Sequence, residues 1–200
     1  MIAVFLLVVT EGQLEVPVAQ KVFDVLGIEH EETRFVPKGG GNAFWRDAVK
    51  YNNAARHAGP VLGIADLERS PCPGGLIVQY LPHGRHPSFV LRIAVHMLEA
   101  WLLADRQAIS SFLRVPVARI PNDPDNLPHA KRCLVNLARQ SRKRQIVEDI
   151  VPSQGSEGVV GRGYTPRMTN FIRTAWRPTI ASINSNSLRR ALAAIQAIAA

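Results

Sequence analysis

Two hundred residues, 46% hydrophobic and 20% charged, suit a folded chain with a sizeable interior and exclude disorder of the whole. Two cysteines, Cys72 and Cys133, with no CxxC pair, argue against a disulfide scaffold and a thiolate zinc site; each reads as a half-buried small hydrophobe, and the reducing cytoplasm is the expected compartment. The charge of +8 is uneven, residues 101–200 holding fifteen Lys/Arg against six Asp/Glu, so an anionic partner is expected, nucleic acid first.

The first apolar run, Ile2 to Val9, has no basic region before it and is too short to span a bilayer. It reads as a central strand buried on both faces, ending at Thr10-Glu11-Gly12, and no membrane partner is expected. In "GQLEVPVAQKVFDVLGI" the spacing of Val16, Ala19, Val22, Phe23 and Leu26 predicts a helix, with Pro17 in its first turn and Gly27 as its stop. "EETRFVP" reads as a second strand. "KGGGNAFWRDAVKYNNAARHAG" is a glycine turn followed by a helix with Asn42 as candidate cap, and "PVLGIADLE" is a third strand.

The alternation of strand and helix predicts an α/β domain with a mainly parallel sheet flanked by helices. "GGLIVQYL" and "PSFVLRIAV" are expected as further strands, and "HMLEAWLLADRQAISSFL" as a helix re-capped at Asp105. Residues 131–149 read as helical and basic, 152–166 as a Gly/Ser loop, and two helices follow near 166–176 and 185–199, the last capped by Ser185 or Asn186. The organisation expected is an α/β core over residues 1–105 and a mostly helical, basic extension over 106–200 packed on it.

Active sites of parallel sheets gather beyond the carboxyl ends of the strands. Glu11 ends the first strand, and Asp66 and Glu68 end the third. If those strands are neighbours, the acids share one crevice, with Leu67 anchoring the strand end from its other face. Converging carboxylates repel one another unless a cation neutralises them, and hard oxygen donors suit Mg²⁺. Glu99, amid Leu98, Trp101 and Leu102, needs a partner, either the metal site or an arginine such as Arg92. His96 is a supporting candidate. Lys131, Arg132, Arg139, Arg142, Lys143 and Arg144 are a candidate ridge for phosphates, and Arg162, between two glycines, and Tyr164, next to the second of them, are flanked by residues that allow close backbone approach. Lys131 and Arg162 are placed nearest the substrate. Arg189-Arg190 belongs either to the same surface or to ordinary helix solvation.

The pieces "TEGQLE" (10–15), "ADLERSPCP" (65–73), "LRIAVHMLEAWLLAD" (91–105), "IPNDPDNLPHAK" (120–131) and the C-terminal "GRGYT…FI…W…SNSLRRAL" together resemble the bacterial domain-of-unknown-function 4276 family. That family is regarded as Toprim-like and is often encoded near ATPases in defence-type loci. The acids after strands one and three resemble those of the Toprim domains of topoisomerases, primases and overcoming-lysogenization-defect nucleases. The resemblance implies that Glu11 is a general acid or base or a metal ligand, that Asp66 and Glu68 hold Mg²⁺ (or Mn²⁺), and that Glu15, one helical turn on, supports the site. Glu68 stands where such proteins usually carry aspartate. The leading expectation is a Mg²⁺-dependent nuclease-like enzyme acting on nucleic-acid phosphodiesters. The alternatives are a non-catalytic module that binds nucleic acid or a partner ATPase, and a nucleotide phosphohydrolase.

Overall fold

The computed structural model describes residues 5–199. Four strands, β1 (Leu7–Thr10), β2 (Arg34–Pro37), β3 (Val61–Asp66) and β4 (Phe89–Ala94), form an all-parallel sheet in the order β2-β1-β3-β4. The first strand was expected over residues 2–9; residues 2–4 lie outside those described. Its neighbours are β2 and β3, with Thr10 opposite Pro37 and Ile64. The two strands that end in acids are therefore adjacent at the centre of the sheet.

Both faces of the sheet are covered. Alternate residues Val8, Leu62, Ile64, Val90 and Ala94 pack with α1 (Glu15–Leu26), α5 (Leu98–Ala104) and the helices that follow. Val9, Val61, Ala65, Phe89, Leu91 and Ile93 pack on the other face, against α2 (Gly41–Arg46), α3 (Ala48–His57) and α4 (Pro73–Tyr80). Burial on both sides is why these strands read as nearly unbroken apolar runs. α1 carries Pro17 in its first turn and stops at Gly27, whose φ of 66° is left-handed.

Four local expectations are corrected. "GGLIVQYL" is helix α4: Pro73 occupies its first turn and the Cys72 sulfur accepts from the Gly75 N–H (3.3 Å). Cys72 is accordingly an exposed cap rather than a half-buried hydrophobe; Cys133 is half-buried as expected. Asn42 lies inside α2, whose cap position is Gly40, and the helix expected after it breaks into two at Asp47.

The second half of the chain is helical: α6 (Arg106–Leu113), α7 (Ala130–Ala138), α8 (Arg144–Ile150), α9 (Tyr164–Thr174), α10 (Pro178–Asn184) and α11 (Asn186–Ala199). The basic stretch expected to be helical, residues 131–149, is α7 and α8, with residues 139–143 between them. Three helices rather than two follow the long loop, because Pro178 starts a separate α10. Ser185 is the cap of α11, its hydroxyl accepting from the Leu188 N–H (3.1 Å). One hydrophobic cluster runs from Phe5 in the sheet layer through Trp101 and Trp176 to Ile195, so these helices share the core of the sheet. No helix among the described residues is long and apolar enough to cross a membrane.

Asp105 is the expected cap of α6, accepting from the Ala108 N–H, and it also takes the Arg177 guanidinium and main-chain N–H at 2.7–3.1 Å. This 1%-exposed carboxylate ties α6 to the start of α10. Asp105→Asn keeps the shape and removes the charge, so it is expected to cost about 2 kcal/mol, read as a lower urea midpoint at unchanged slope.

Candidate active site

Beyond the C-terminal ends of β1 and β3, main-chain donors hold three carboxylates in place. The Asp66 N–H donates to Glu11 Oε2 (3.1 Å), the Leu98 N–H to Asp66 Oδ1 (2.8 Å), and the Gly12 N–H to Glu15 Oε2 (3.1 Å). The fold explains each placement. Glu11 follows the last residue of β1, Glu15 opens α1 one turn later, and Asp66 ends β3 opposite Ala94, just before α5 begins.

Glu99 joins them from the first turn of α5. It is 2% exposed; Tyr164 OH donates to its Oε1 (2.8 Å) and Lys131 Nζ stands 3.5 Å from the same oxygen. Its second oxygen, Oε2, is buried and has no donor among the described residues. The arginine partner expected for Glu99 is not Arg92, whose guanidinium turns instead to the main-chain oxygens of Leu91 and Arg190.

The electrostatics follow from this crowding. Burial, then the charges of Glu99, Glu15 and Glu11, holds the Asp66 carboxyl well above the usual carboxylate range. Burial pushes Glu15 up to about 7, with Glu99 and Glu11 acting in the same direction. Burial raises Glu11 as well, against the lowering effect of the Asp66 N–H. Burial works against the Lys131 ammonium, but Glu99, Asp66 and Glu15 outweigh it and raise its pKa. One lysine thus stands among four carboxylates, and three of those are pushed toward their neutral forms.

Two cavities of about 230 Å³ each flank Asp66, which lines both. Glu11 and Glu68 line one, with Asn42, Ser70, Leu76 and Tyr80. Glu15, Glu99, Lys131 and Tyr164 line the other. The expected trio Glu11, Asp66 and Glu68 therefore faces one cavity, and Leu67, 2% exposed, lines the same cavity while packing into the cluster of Phe44, Trp45 and Leu76. Glu68 arrives there differently from expectation. β3 ends at Asp66, and Glu68 is exposed on left-handed backbone (φ 49°) rather than two residues along a continuing strand.

The other expected site residues separate. Lys131 is in the cluster, but Arg142, Lys143 and Arg144 are exposed beyond the end of α7, so the ridge does not run through them and Lys131 together. Arg142 and Lys143 line a distinct groove with Ser110, Ser111, Arg114 and Pro116, and none of its residues lines a carboxylate cavity. Arg144 pairs with Glu148 on the surface. His96 lines neither cavity, its Nδ1 lying 3.2 Å from the Glu68 carbonyl oxygen. Arg162 is exposed and lines neither cavity. Its flanking glycines make their close approach to α8: a β-carbon at Gly161 would stand 2.5 Å from the Asp149 carbonyl oxygen, and one at Gly163 2.7 Å from the Asp149 side chain.

Tyr164 is the functional candidate whose contact sequence reasoning missed. It is 3% exposed at the start of α9, and burial followed by the Glu99 charge holds its phenol well above its ordinary value, so it remains a donor. Tyr164→Phe removes one of the two cationic or hydroxyl partners of Glu99 and is expected to cost about 1 kcal/mol, measured by thermal unfolding.

Fold and site define a class, an α/β protein whose four-stranded parallel sheet carries buried carboxylates beyond its two central strands. Comparisons with protein-family models, with curated proteins and with solved structures found no match to this chain. Among the described residues, no three carboxylate, imidazole or thiol groups converge as a ready metal cage. The donor chemistry nevertheless fits a hard divalent cation. All the acids supply oxygen, their charges exceed the one lysine, and Glu99 Oε2 is a buried acceptor without a donor.

Proposed function

We propose that this chain is a divalent-metal-dependent, nuclease-like enzyme on a Toprim-like scaffold, acting on nucleic-acid phosphodiesters. The observation that carries the reading is the carboxylate cluster across the adjacent ends of β1 and β3, with one oxygen of Glu99 buried and unpartnered. Glu11, Asp66 and Glu68 would hold Mg²⁺ or Mn²⁺, with Glu15 and Glu99 supporting them from the second cavity. The bound ion would stabilise charge developing on the phosphate.

The protein's own groups have separable tasks. Glu11, fixed by the Asp66 N–H and with its carboxyl raised by burial, is placed to give or take a proton at the reacting group. Lys131 offers a cation to a phosphate oxygen without losing its own proton. Tyr164 orients Glu99. The exposed Arg142, Lys143, Arg144 and Arg162 supply attraction for the polyanion that carries no sequence preference.

A second reading, a module that binds nucleic acid or a partner ATPase without cleaving, is favoured by one observation: the groove holding Arg142 and Lys143 shares no residue with the carboxylate cavities. One experiment separates the two. Single- and double-stranded DNA and RNA are incubated with wild type and Asp66→Asn in Mg²⁺, Mn²⁺ or chelator. Metal-dependent cleavage by wild type alone supports the enzyme. Salt-sensitive binding by both proteins with cleavage by neither supports the module.

A further inference from the structure

Among the described residues β4 is an edge strand, pairing with β3 on one side only. The carbonyls of Ser88 and Ala94 accept from Val61 and Leu67 in and beyond β3. Main-chain groups alternate in direction along a strand, so the even-numbered residues of β4 face β3 and Phe89, Leu91 and Ile93 face outward. Arg85 covers the Phe89 carbonyl, and Arg92 Nε covers that of Leu91 (2.6 Å). The Phe89 N–H is used in its own turn, by His86 (2.9 Å). That leaves the Leu91 N–H and both main-chain groups of Ile93 turned outward.

These groups do not face open solvent. Along this edge lies a cavity of about 570 Å³, with Leu91, Ile93 and Val95 at its floor. Pro73, Gly74 and Ile77 of α4 wall it on one face of the sheet, and Ser187 and Arg190 of α11 wall it on the other. An unpaired strand edge between two helical walls is the shape that receives an added strand.

Charge selects what kind of strand. Among the described residues, Arg85, Arg92 and Arg190 have no acidic partner. Burial and the charges of Arg85 and Arg190 hold the Arg92 guanidinium below its ordinary value. Asp123 and Asp125 also line the cavity and keep their charge, but their oxygens are taken up by neutral donors, Asp125 accepting from Ser185 and the Ser187 N–H and Asp123 from Asn126, so neither pairs with the three arginines along the edge. A second copy paired edge to edge would set these arginines against themselves. A nucleic-acid backbone would meet the arginines but has no N–H and C=O ladder for Leu91 and Ile93.

We propose that the outer edge of β4 is a docking slot for an extended acidic segment of a partner protein, which adds to the sheet as a fifth strand. Its side chains alternate between the walls, acidic residues meeting Arg92 and Arg190 and small apolar ones meeting Pro73 and Ile77. The slot stands independently of the phosphodiesterase reading, since none of its lining residues is among the carboxylate ligands.

The test is fluorescence anisotropy with a labelled, end-blocked hexapeptide of alternating valine and glutamate. Its controls are the valine–lysine counterpart, versions N-methylated on every second residue in each of the two frames, and an unlabelled DNA oligonucleotide as competitor. Saturable binding at least tenfold tighter for the glutamate peptide, lost on N-methylation in one frame, is the expected result. Arg92→Glu with Arg190→Glu is expected to weaken it at least tenfold, with folding checked by thermal unfolding. The comparison of N-methylated peptides uses wild type and so stands even if that variant does not fold. Lack of saturable binding, equal binding of the lysine peptide or indifference to N-methylation in both frames overturns the proposal. So does equal displacement by the oligonucleotide, which would make the edge a general anion patch.

Discussion

Titrated calorimetrically with Mn²⁺ or Mg²⁺ at matched salt, wild type is expected to take up the ion and Asp66→Asn to lose it. Metal-dependent phosphodiester cleavage is expected to fall at least 1000-fold in the variant, equivalent to about 4 kcal/mol. The size of the effect follows from position. Asp66 lines both cavities and is coupled in charge to Glu11, Glu15 and Glu99. No other acid of the cluster can replace it from both sides. Asparagine still accepts from the Leu98 N–H, the bond that carboxylate Oδ1 makes at 2.8 Å, so the strand end is preserved while the charge is lost. Nucleic-acid binding through Arg142, Lys143 and Arg144 should persist in the variant and weaken with salt. Loss of that binding together with metal uptake would point to unfolding instead, and circular dichroism distinguishes the two.

Without metal, the protein should lose stability as pH rises from about 4.5 to about 7. Glu15 explains the sign. Its carboxyl is raised from 4.5 to about 7 in the folded chain, so across that window the folded state keeps a proton that the unfolded state has released. Folding is then favoured fully below the unfolded value and progressively less up to the folded one. A shift of this size corresponds to about 3 kcal/mol. Glu11 and Asp66 are displaced in the same direction and add to the trend. Unfolding temperatures measured from pH 5 to pH 8 are expected to fall in wild type and to flatten in Glu15→Gln. An equal slope in the two proteins would remove Glu15 as its source.

Much of the sheet was legible because strands buried on both faces leave a plain signature. "PVLGIAD" and "FVLRIA" could hardly be anything else once the alternation with helices was seen. "GGLIVQYL" deceived for the same reason: a short apolar run flanked by glycine carries no period of its own. The stronger signal was Pro73 at a first helical turn, next to a capping Cys72.

In the site, Glu11 and Asp66 were readable from their places at strand ends, and Asp105 from the helix pattern that restarts after it. The company of Glu99 was not. Its partners are 32 and 65 residues away on separate helices, and apolar periodicity records which face of a helix is buried but not which side chain it meets. The basic residues misled in a related way. Proximity in sequence suggested one ridge, while Lys131, at the start of α7, meets Glu99 and Arg142 to Arg144, beyond the end of that helix, are exposed.

The packing of Gly161 and Gly163 on α8 reaches beyond the loop that carries them. A methyl group at either position would collide with Asp149, and the cheapest relief is to move the start of α9, which begins at Tyr164. The hydroxyl that orients Glu99 would move with it. In a map of mutational tolerance, these two glycines therefore belong with the carboxylates, although neither bears a reactive atom.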